Sequence, residues 1–227
     1  MKTYLVSLTS NVPGVKENYL DSISNLDDSV IPVMVSFKPY FKAKTIDFKV
    51  IKTGKAYPNN LKRFDYFPEF EDDNMIIFTD TSDVIFQKPI PKLESKIYVS
   101  PELDTWGANN WWKFHLNKYN FKDLDGKPIF CMGTWAMPYS EVKSLLKFIK
   151  NNAHVFDDAF FSDQILFNWW LLGKKFEVHP TLFGTLYSSY SKGIIKLDHG
   201  IFYDNDDGVI SIIHVNGNNK QLLKGEI

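Results

Sequence analysis

Two carboxylates stand three residues apart, directly after an apolar strand-like run. The run 75–78 reads Met-Ile-Ile-Phe, and Asp80 and Asp83 follow its carboxyl end. Ligands collect at that end of the strands in open α/β sheets. Two acids so spaced on a turn can converge on one hard cation such as Mg²⁺ or Mn²⁺. The structural alternative is that Asp80 caps the turn while Asp83 is a solvated loop residue.

A second polar group follows another apolar run, near the end of the sequence, where His214 precedes Gly217 and Lys220. A lone histidine after a strand is more often structural than a metal ligand. Together with Asp80 and Asp83, however, its imidazole completes a donor set suited to Mn²⁺. Lys220 could then meet a phosphate group as a point charge. Gly217 would let backbone amides approach the same phosphate.

The elements that must position these residues alternate between strand-like and helical runs. Strands are predicted at residues 3–8, 30–37, 48–51, 75–78, 96–99 and 208–213. Helices are predicted at residues 12–26, 60–67, 140–151 and 162–172. This alternation indicates an α/β fold with a mixed, mostly parallel sheet flanked by helices. No linker or repeat interrupts the pattern, so residues 1–227 are predicted to form one Rossmann-like domain.

Residues 102–128 have weak periodicity, and we predict an inserted loop or lid there. The segment carries Trp106, Trp111 and Trp112 among Gly, Asn and Lys residues. Their rings could form a stacking surface for an acceptor sugar or base. The alternative is that they only pack the lid against the domain.

Composition narrows the class of protein. The 227 residues are 44% hydrophobic, and 26 basic residues nearly balance 27 acidic ones. Such a chain can bury one substantial core, and it has no global charge to draw it onto nucleic acid. Cys131 is the only cysteine, so an internal disulfide is excluded. With no signal-peptide core at the start and no apolar run of membrane-spanning length, we expect a cytoplasmic protein without a transmembrane segment.

The two metal-site motifs resemble those of GT-A glycosyltransferases. The segment Asp80-Thr81-Ser82-Asp83-Val84 is similar to the metal-binding strand end in the glucosyltransferase domain of procollagen lysyl hydroxylases. Residues 214–220 resemble the final His-Gly-Asn-Gly-Pro-Thr-Lys motif of that domain. The glycogenin-like family 8 enzymes are a more distant resemblance. Both families carry a helix that begins Asp-Gln between the two motifs, and Asp163-Gln164 looks like that helix start.

The resemblance implies an activity and a metal site. Asp80, Asp83 and His214 would bind Mn²⁺ or Mg²⁺, and Gly217 and Lys220 would contact the donor diphosphate. The implied donor is a UDP-sugar carrying a hexose or pentose. The sugar would pass to an acceptor hydroxyl with retention of anomeric configuration.

Other positions receive a role from the same resemblance. Asp163 would orient the hydroxyls of the transferred sugar, with Gln164 beside it. Thr9, Ser10 and Asn11 follow the first predicted strand, where relatives hold the nucleotide base. Their alternative role is that of ordinary loop residues.

Arg63 precedes the metal strand and could reach a phosphate or ribose, unless it lies on a solvated helix face. The sugar-supporting segment of the family appears as residues 130–134, which retain only Gly133 of its pattern. The donor sugar is therefore left open.

Three other functions compete with this prediction. A nucleotidyltransferase would show a Gly-rich basic signature near its first strand, whereas residues 8–16 contain only Gly14 and Lys16. A non-catalytic carbohydrate-binding or interaction module would keep the aromatic segment without metal-dependent nucleotide-sugar binding. A glycosyltransferase acting on a modified DNA base is a third possibility, because several lysines accompany the tryptophans. The acceptor could therefore be a glycan, a protein hydroxyl or a modified nucleic-acid base.

Overall fold

A computed structural model describes residues 1–9, 17–36, 49–52, 60–156, 161–186 and 193–215. The strands are β1 Thr3–Thr9, β2 Val30–Ser36, β3 Lys49–Lys52, β4 Met75–Thr79, β5 Val84–Phe86, β6 Ile97–Thr105, β7 Pro128–Pro138, β8 Phe176–Glu177, β9 Phe183–Thr185, β10 Lys196–Asp198, β11 Ile201–Tyr203 and β12 Ile212–His214. The α-helices are α1 Glu17–Ser22, α2 Asn110–Lys118, α3 Tyr139–Asn152 and α4 Ser162–Leu171. Short 3-10 helices occupy Ile23–Asn25, Lys62–Tyr66, Lys122–Leu124 and Ala153–Val155.

Seven strands form the central sheet in the order β3-β2-β1-β4-β7-β6-β8. All neighbouring pairs are parallel except the two that involve β7, which runs antiparallel to both β4 and β6. This confirms the predicted mixed, mostly parallel sheet. The strand order changes direction between β1 and β4, so the carboxyl ends of these two strands border the crevice where α/β folds place their ligands.

Strand β4 is buried on both of its faces, which explains its continuous apolar sequence. Ile76 and Phe78 belong to the apolar cluster that includes residues of α3 and α4. Met75 and Ile77 belong to the opposite cluster, which includes Tyr19 of α1. Helices therefore flank both faces of the sheet, as predicted.

A second, three-stranded sheet has the order β5-β12-β9. In it β12 lies antiparallel to β5 and parallel to β9, and His214 is in register with Val84. This sheet brings residues from near the end of the sequence beside the residues that follow β4.

Most predicted elements are present with shifted ends. The predicted strand at 96–99 extends to Thr105, and the one at 208–213 is the shorter β12. The predicted helix at 60–67 is a 3-10 helix, and the described part of the helix predicted at 12–26 is α1 with the 3-10 turn after it. Strand β7 was not predicted as an element at all.

The predicted loop at 102–128 contains regular structure. It holds the end of β6, the helix α2 and the 3-10 helix Lys122–Leu124. Helix α2 begins where the Asn109 side chain accepts a hydrogen bond from the Trp112 backbone N–H. This cap satisfies one of the free amides of the first turn. No α-helix in the described ranges is long and apolar enough to cross a membrane.

Candidate metal centre and adjoining cavity

Asp80, Asp83 and His214 converge on one point, as predicted. Asp80 follows β4, Asp83 precedes β5, and His214 ends β12. The His214 Nε2 atom lies 3.2 Å from Asp83 Oδ1 and 3.8 Å from Asp80 Oδ2. One potential ligand atom from each residue falls within 4.8 Å of the others. The backbone fixes this arrangement, because Val215 N donates to Asp83 O at 2.7 Å.

The chemistry of this cluster fits a divalent cation. Two carboxylates and one imidazole form a mixed oxygen and nitrogen donor set, which suits Mn²⁺ and also allows Mg²⁺. His214 Nε2 is buried and makes no hydrogen bond of acceptable geometry to the described residues. Such an unsatisfied buried nitrogen costs free energy unless it finds a partner. Because the Asp80 side chain is 26% exposed while Asp83 and His214 are buried, the cluster is open on the Asp80 side.

Gly133 on β7 makes room for this cluster. A Cβ atom at this position would lie 2.7 Å from Asp80 Oδ2 and 2.8 Å from His214 Nδ1, and still closer to the imidazole Cε1. The backbone of Gly133 also accepts a hydrogen bond from Asp80 N at 2.9 Å. Gly133 therefore packs directly against two of the three candidate ligands.

Arg63 joins the metal cluster to the start of α4. Its Nη1 donates to Asp80 Oδ1 at 2.7 Å, and its Nη2 donates to Asp163 Oδ2 at 3.0 Å. Burial lowers the pKa of Arg63, but the two carboxylates outweigh that effect and raise it, so the guanidinium stays charged. That Arg63 reaches a phosphate or ribose stays a prediction. In the structure its two Nη donors hold carboxylates of the protein, and the Asp80 oxygen that remains, Oδ2, faces His214.

Asp163 and Gln164 lie in the first turn of α4, where the helix dipole favours a carboxylate. Burial raises the pKa of Asp163 despite the opposing effect of Arg63. Gln164 Nε2 donates to Glu102 Oε1 at 2.7 Å, and its Oε1 accepts from Met132 N at 3.1 Å. These bonds attach the start of α4 to β6 and β7, so both predicted sugar-facing residues lie beside the metal cluster.

Two buried residues complete the site and were not predicted as functional. The Cys131 Sγ atom lies 3.0 Å from His214 Nδ1, and the same side chain hydrogen-bonds the carboxylate of Glu102. Burial raises the pKa of Glu102. Burial lowers the pKa of His214, but the Cys131 sulfur and the Asp83 carboxylate outweigh it and raise this pKa well above 6.5. The only sequence signal for Glu102 is a carboxylate that follows an apolar strand.

A cavity of about 340 Å³ opens onto these residues, a size within the range of small-molecule sites. Its polar side includes Asp80, Asp163 and His214. Its remaining lining residues are Asn60, Arg63, Glu102, Trp111, Trp112, Cys131, Met132, Gly133, Phe161 and Gln164.

The cavity has one aromatic wall, made by Trp111, Trp112 and Phe161. The Trp111 ring meets the rings of both Trp112 and Phe161 edge to face, with centroids 4.4 Å and 4.7 Å apart. Trp111 remains 50% exposed. Trp106 is only 1% exposed and packs behind Trp112, so it supports this wall without lining the cavity.

Several residues predicted to contact the nucleotide or the diphosphate lie outside the described ranges. Ser10, Asn11, Gly217 and Lys220 lie outside the described residues, and Thr9 is placed only as the last residue of β1.

A scan against protein-family models and a search of curated proteins found no match to this chain. The function is therefore argued from the site itself.

Proposed function

We propose that this chain is a metal-dependent glycosyltransferase of the GT-A type. It would move a hexose or pentose from a UDP-sugar to an acceptor hydroxyl. The observation that carries the proposal is the convergence of Asp80, Asp83 and His214 at the carboxyl end of β4, beside a cavity that also contains Asp163 and Gln164. The strand order with its single reversed strand supports the proposed fold, and retention of configuration follows from the resemblance.

The three ligands would hold Mn²⁺ or Mg²⁺, which when bound neutralises the donor diphosphate and stabilises charge on the leaving group. The protein's contribution to metal binding is to hold the three ligand side chains in fixed orientations. Arg63 holds Asp80 Oδ1, so the carboxylate keeps one orientation and directs Oδ2 towards His214. Gly217 and Lys220 are proposed to contact the diphosphate.

Asp163 is proposed to orient the donor sugar. Its Oδ2 is bound by Arg63 and its Oδ1 by the Gln164 backbone N–H, so the side chain is fixed before any ligand arrives. A carboxylate held in this way can accept hydrogen bonds from sugar hydroxyls without a further loss of side-chain entropy. Gln164 supports the same surface through its bond to Glu102.

The aromatic wall is proposed to bind the acceptor. Tryptophan rings offer flat apolar faces that match the C–H face of a sugar or the plane of a base. The cavity is also lined by the carboxylates of Asp80, Glu102 and Asp163, which disfavours a polyanionic acceptor. A glycan or protein-linked hydroxyl therefore fits this wall better than a modified DNA base.

The deciding test is calorimetric titration of UDP in the presence of Mn²⁺ and in the presence of EDTA. Wild-type protein should bind UDP only with metal, and Asp83→Asn and His214→Gln should each abolish that dependence. Asp73→Asn is a matched control, because this carboxylate is exposed and precedes β4, whereas Asp80 follows the other end of the strand. Binding that is absent, or indifferent to metal and to both substitutions, would favour the carbohydrate-binding module. UDP-sugars would next be screened for hydrolysis and transfer.

A further inference from the structure

The thiol of Cys131 has a place in the site that the proposed reaction does not use. Cys131 is 1% exposed, and its Sγ lies between the imidazole of His214 and the carboxylate of Glu102. We propose that Cys131 is a positioning residue that holds His214 in the tautomer protonated at Nδ1, leaving Nε2 free to bind a metal. The inference rests on the proposed metal site.

The geometry of His214 requires such a choice of tautomer. A neutral imidazole carries its proton on one nitrogen and offers a lone pair on the other. Nε2 faces Asp83 Oδ1 and Asp80 Oδ2, and Nδ1 faces Cys131 Sγ. A proton on Nε2 would point at the two carboxylates and occupy the position of the cation. A proton on Nδ1 needs an acceptor, and the sulfur at 3.0 Å is placed to provide one.

Glu102 determines the direction of these hydrogen bonds. A thiol has one proton, which could go either to Nδ1 or to the carboxylate. Because Glu102 hydrogen-bonds the Cys131 side chain, its carboxyl oxygen can accept a hydrogen bond from the thiol S–H and leave a sulfur lone pair as acceptor for Nδ1–H. Gln164 Nε2 in turn donates to Glu102 Oε1 at 2.7 Å and fixes the carboxylate. The chain of bonds runs from α4 through Glu102 and Cys131 to the metal ligand.

The contact between Cys131 and His214 resembles the hydrogen bonds that commonly orient histidine ligands in metal sites. Metal-binding histidines commonly donate their second ring N–H to a carboxylate, and removal of that partner lowers metal affinity by about 10–100-fold. Here a thiol stands between the histidine and the carboxylate. Loss of the sulfur should therefore weaken metal binding without removing any ligand.

Ring-nitrogen NMR of the metal-free protein tests the tautomer directly, at a pH above the titration of the imidazole. The two carboxylates favour a proton on Nε2 in the metal-free site, so wild type should show a measurable Nδ1-protonated fraction of His214, and Cys131→Ala should lower that fraction. Cys131→Ser, which keeps a hydroxyl in place of the thiol, should restore the wild-type tautomer. Ile129→Val removes one buried methyl group from the same strand without touching His214, and should leave the signal unchanged.

Titration with Mn²⁺ alone tests the consequence for binding. Cys131→Ala should bind Mn²⁺ about 10–100-fold more weakly than wild type, while Cys131→Ser and Ile129→Val stay close to it. Unchanged affinity and an unchanged tautomer ratio in Cys131→Ala, or a wild type with no Nδ1-protonated fraction, would overturn the inference. A wild-type protein that binds no Mn²⁺ overturns the proposed function instead, and the tautomer in the metal-free protein then still decides the role of Cys131.

Discussion

The backbone of Gly133 lies so close to His214 that the two positions leave no space for a methyl group between them. Gly133→Ala should push the imidazole and the Asp80 carboxylate apart and strongly weaken Mn²⁺ binding, while the sheet stays folded. Gly173→Ala is the matched control, because a Cβ atom there meets nothing within 4 Å. Mn²⁺ titration followed by electron paramagnetic resonance measures both. Wild-type affinity in Gly133→Ala would contradict the proposed ligand geometry.

Removal of Arg63 should strongly destabilise the fold. Arg63→Met would leave the buried Asp163 and the partly buried Asp80 without their shared cation, and breaking a buried ion pair in this way costs about 3–5 kcal/mol. Lys62→Met, in the same 3-10 helix, breaks an exposed ion pair with Asp65 and should cost about 0–1 kcal/mol. Urea unfolding compares the two free energies. If both variants lose the same free energy of unfolding, the buried ion pairs of Arg63 stabilise the fold no more than a surface ion pair does.

The aromatic wall should affect transfer without affecting donor binding. Trp111→Ala should leave Mn²⁺-dependent UDP binding unchanged and lower the rate of sugar transfer to an acceptor, because Trp111 lines the cavity and is not one of the candidate metal ligands. Phe114→Ala is the control on the same helix, since Phe114 is 62% exposed and does not line the cavity. If Trp111→Ala also loses UDP binding, the wall contacts the donor instead.

Glu102 should make stability depend on pH. Burial raises the folded-state pKa of this carboxyl above its ordinary value of 4.5, so the folded protein binds the proton more tightly than the unfolded chain. The free energy of unfolding should therefore fall as pH rises from 4.5 through the folded pKa. Glu102→Gln should lack this decline, whereas Glu71→Gln, at an exposed position, should follow wild type. If the free energy of unfolding varies with pH in the same way for wild type and Glu102→Gln, Glu102 is not the source of the decline.

The metal cluster was predictable because its chemistry is visible in short segments. Asp80 and Asp83 follow an apolar strand and His214 ends another, so residue type and strand position suggested the cluster, and the resemblance to GT-A motifs joined the three residues. The same holds for Asp163 at the start of α4. The sequence did not reveal that Arg63 would pair with two carboxylates, since that contact depends on packing between distant elements.

The elements missed by sequence analysis have physical reasons. Strand β7 contains Gly133 and begins and ends with proline, which weakens its strand signal, although its centre is almost fully buried. Helix α2 carries aromatic and lysine side chains without an apolar stripe, so its 3.6-residue period is faint. Glu102 lies on β6 and Cys131 on β7, so their place in the site depends on the pairing of these two strands, which the sequence did not predict.

Strand β12 lies between β5 and β9 and carries the only nitrogen donor of the metal cluster, although the two carboxylates come from much earlier in the chain. During synthesis, a nascent chain that has made only β4 and β5 holds two aspartates with no imidazole opposite them. Capture of the proposed metal would then begin only when β12 inserts between its neighbours, and a bound cation would join two segments that are distant in the sequence. A complete metal site and this part of the fold would therefore form in the same step.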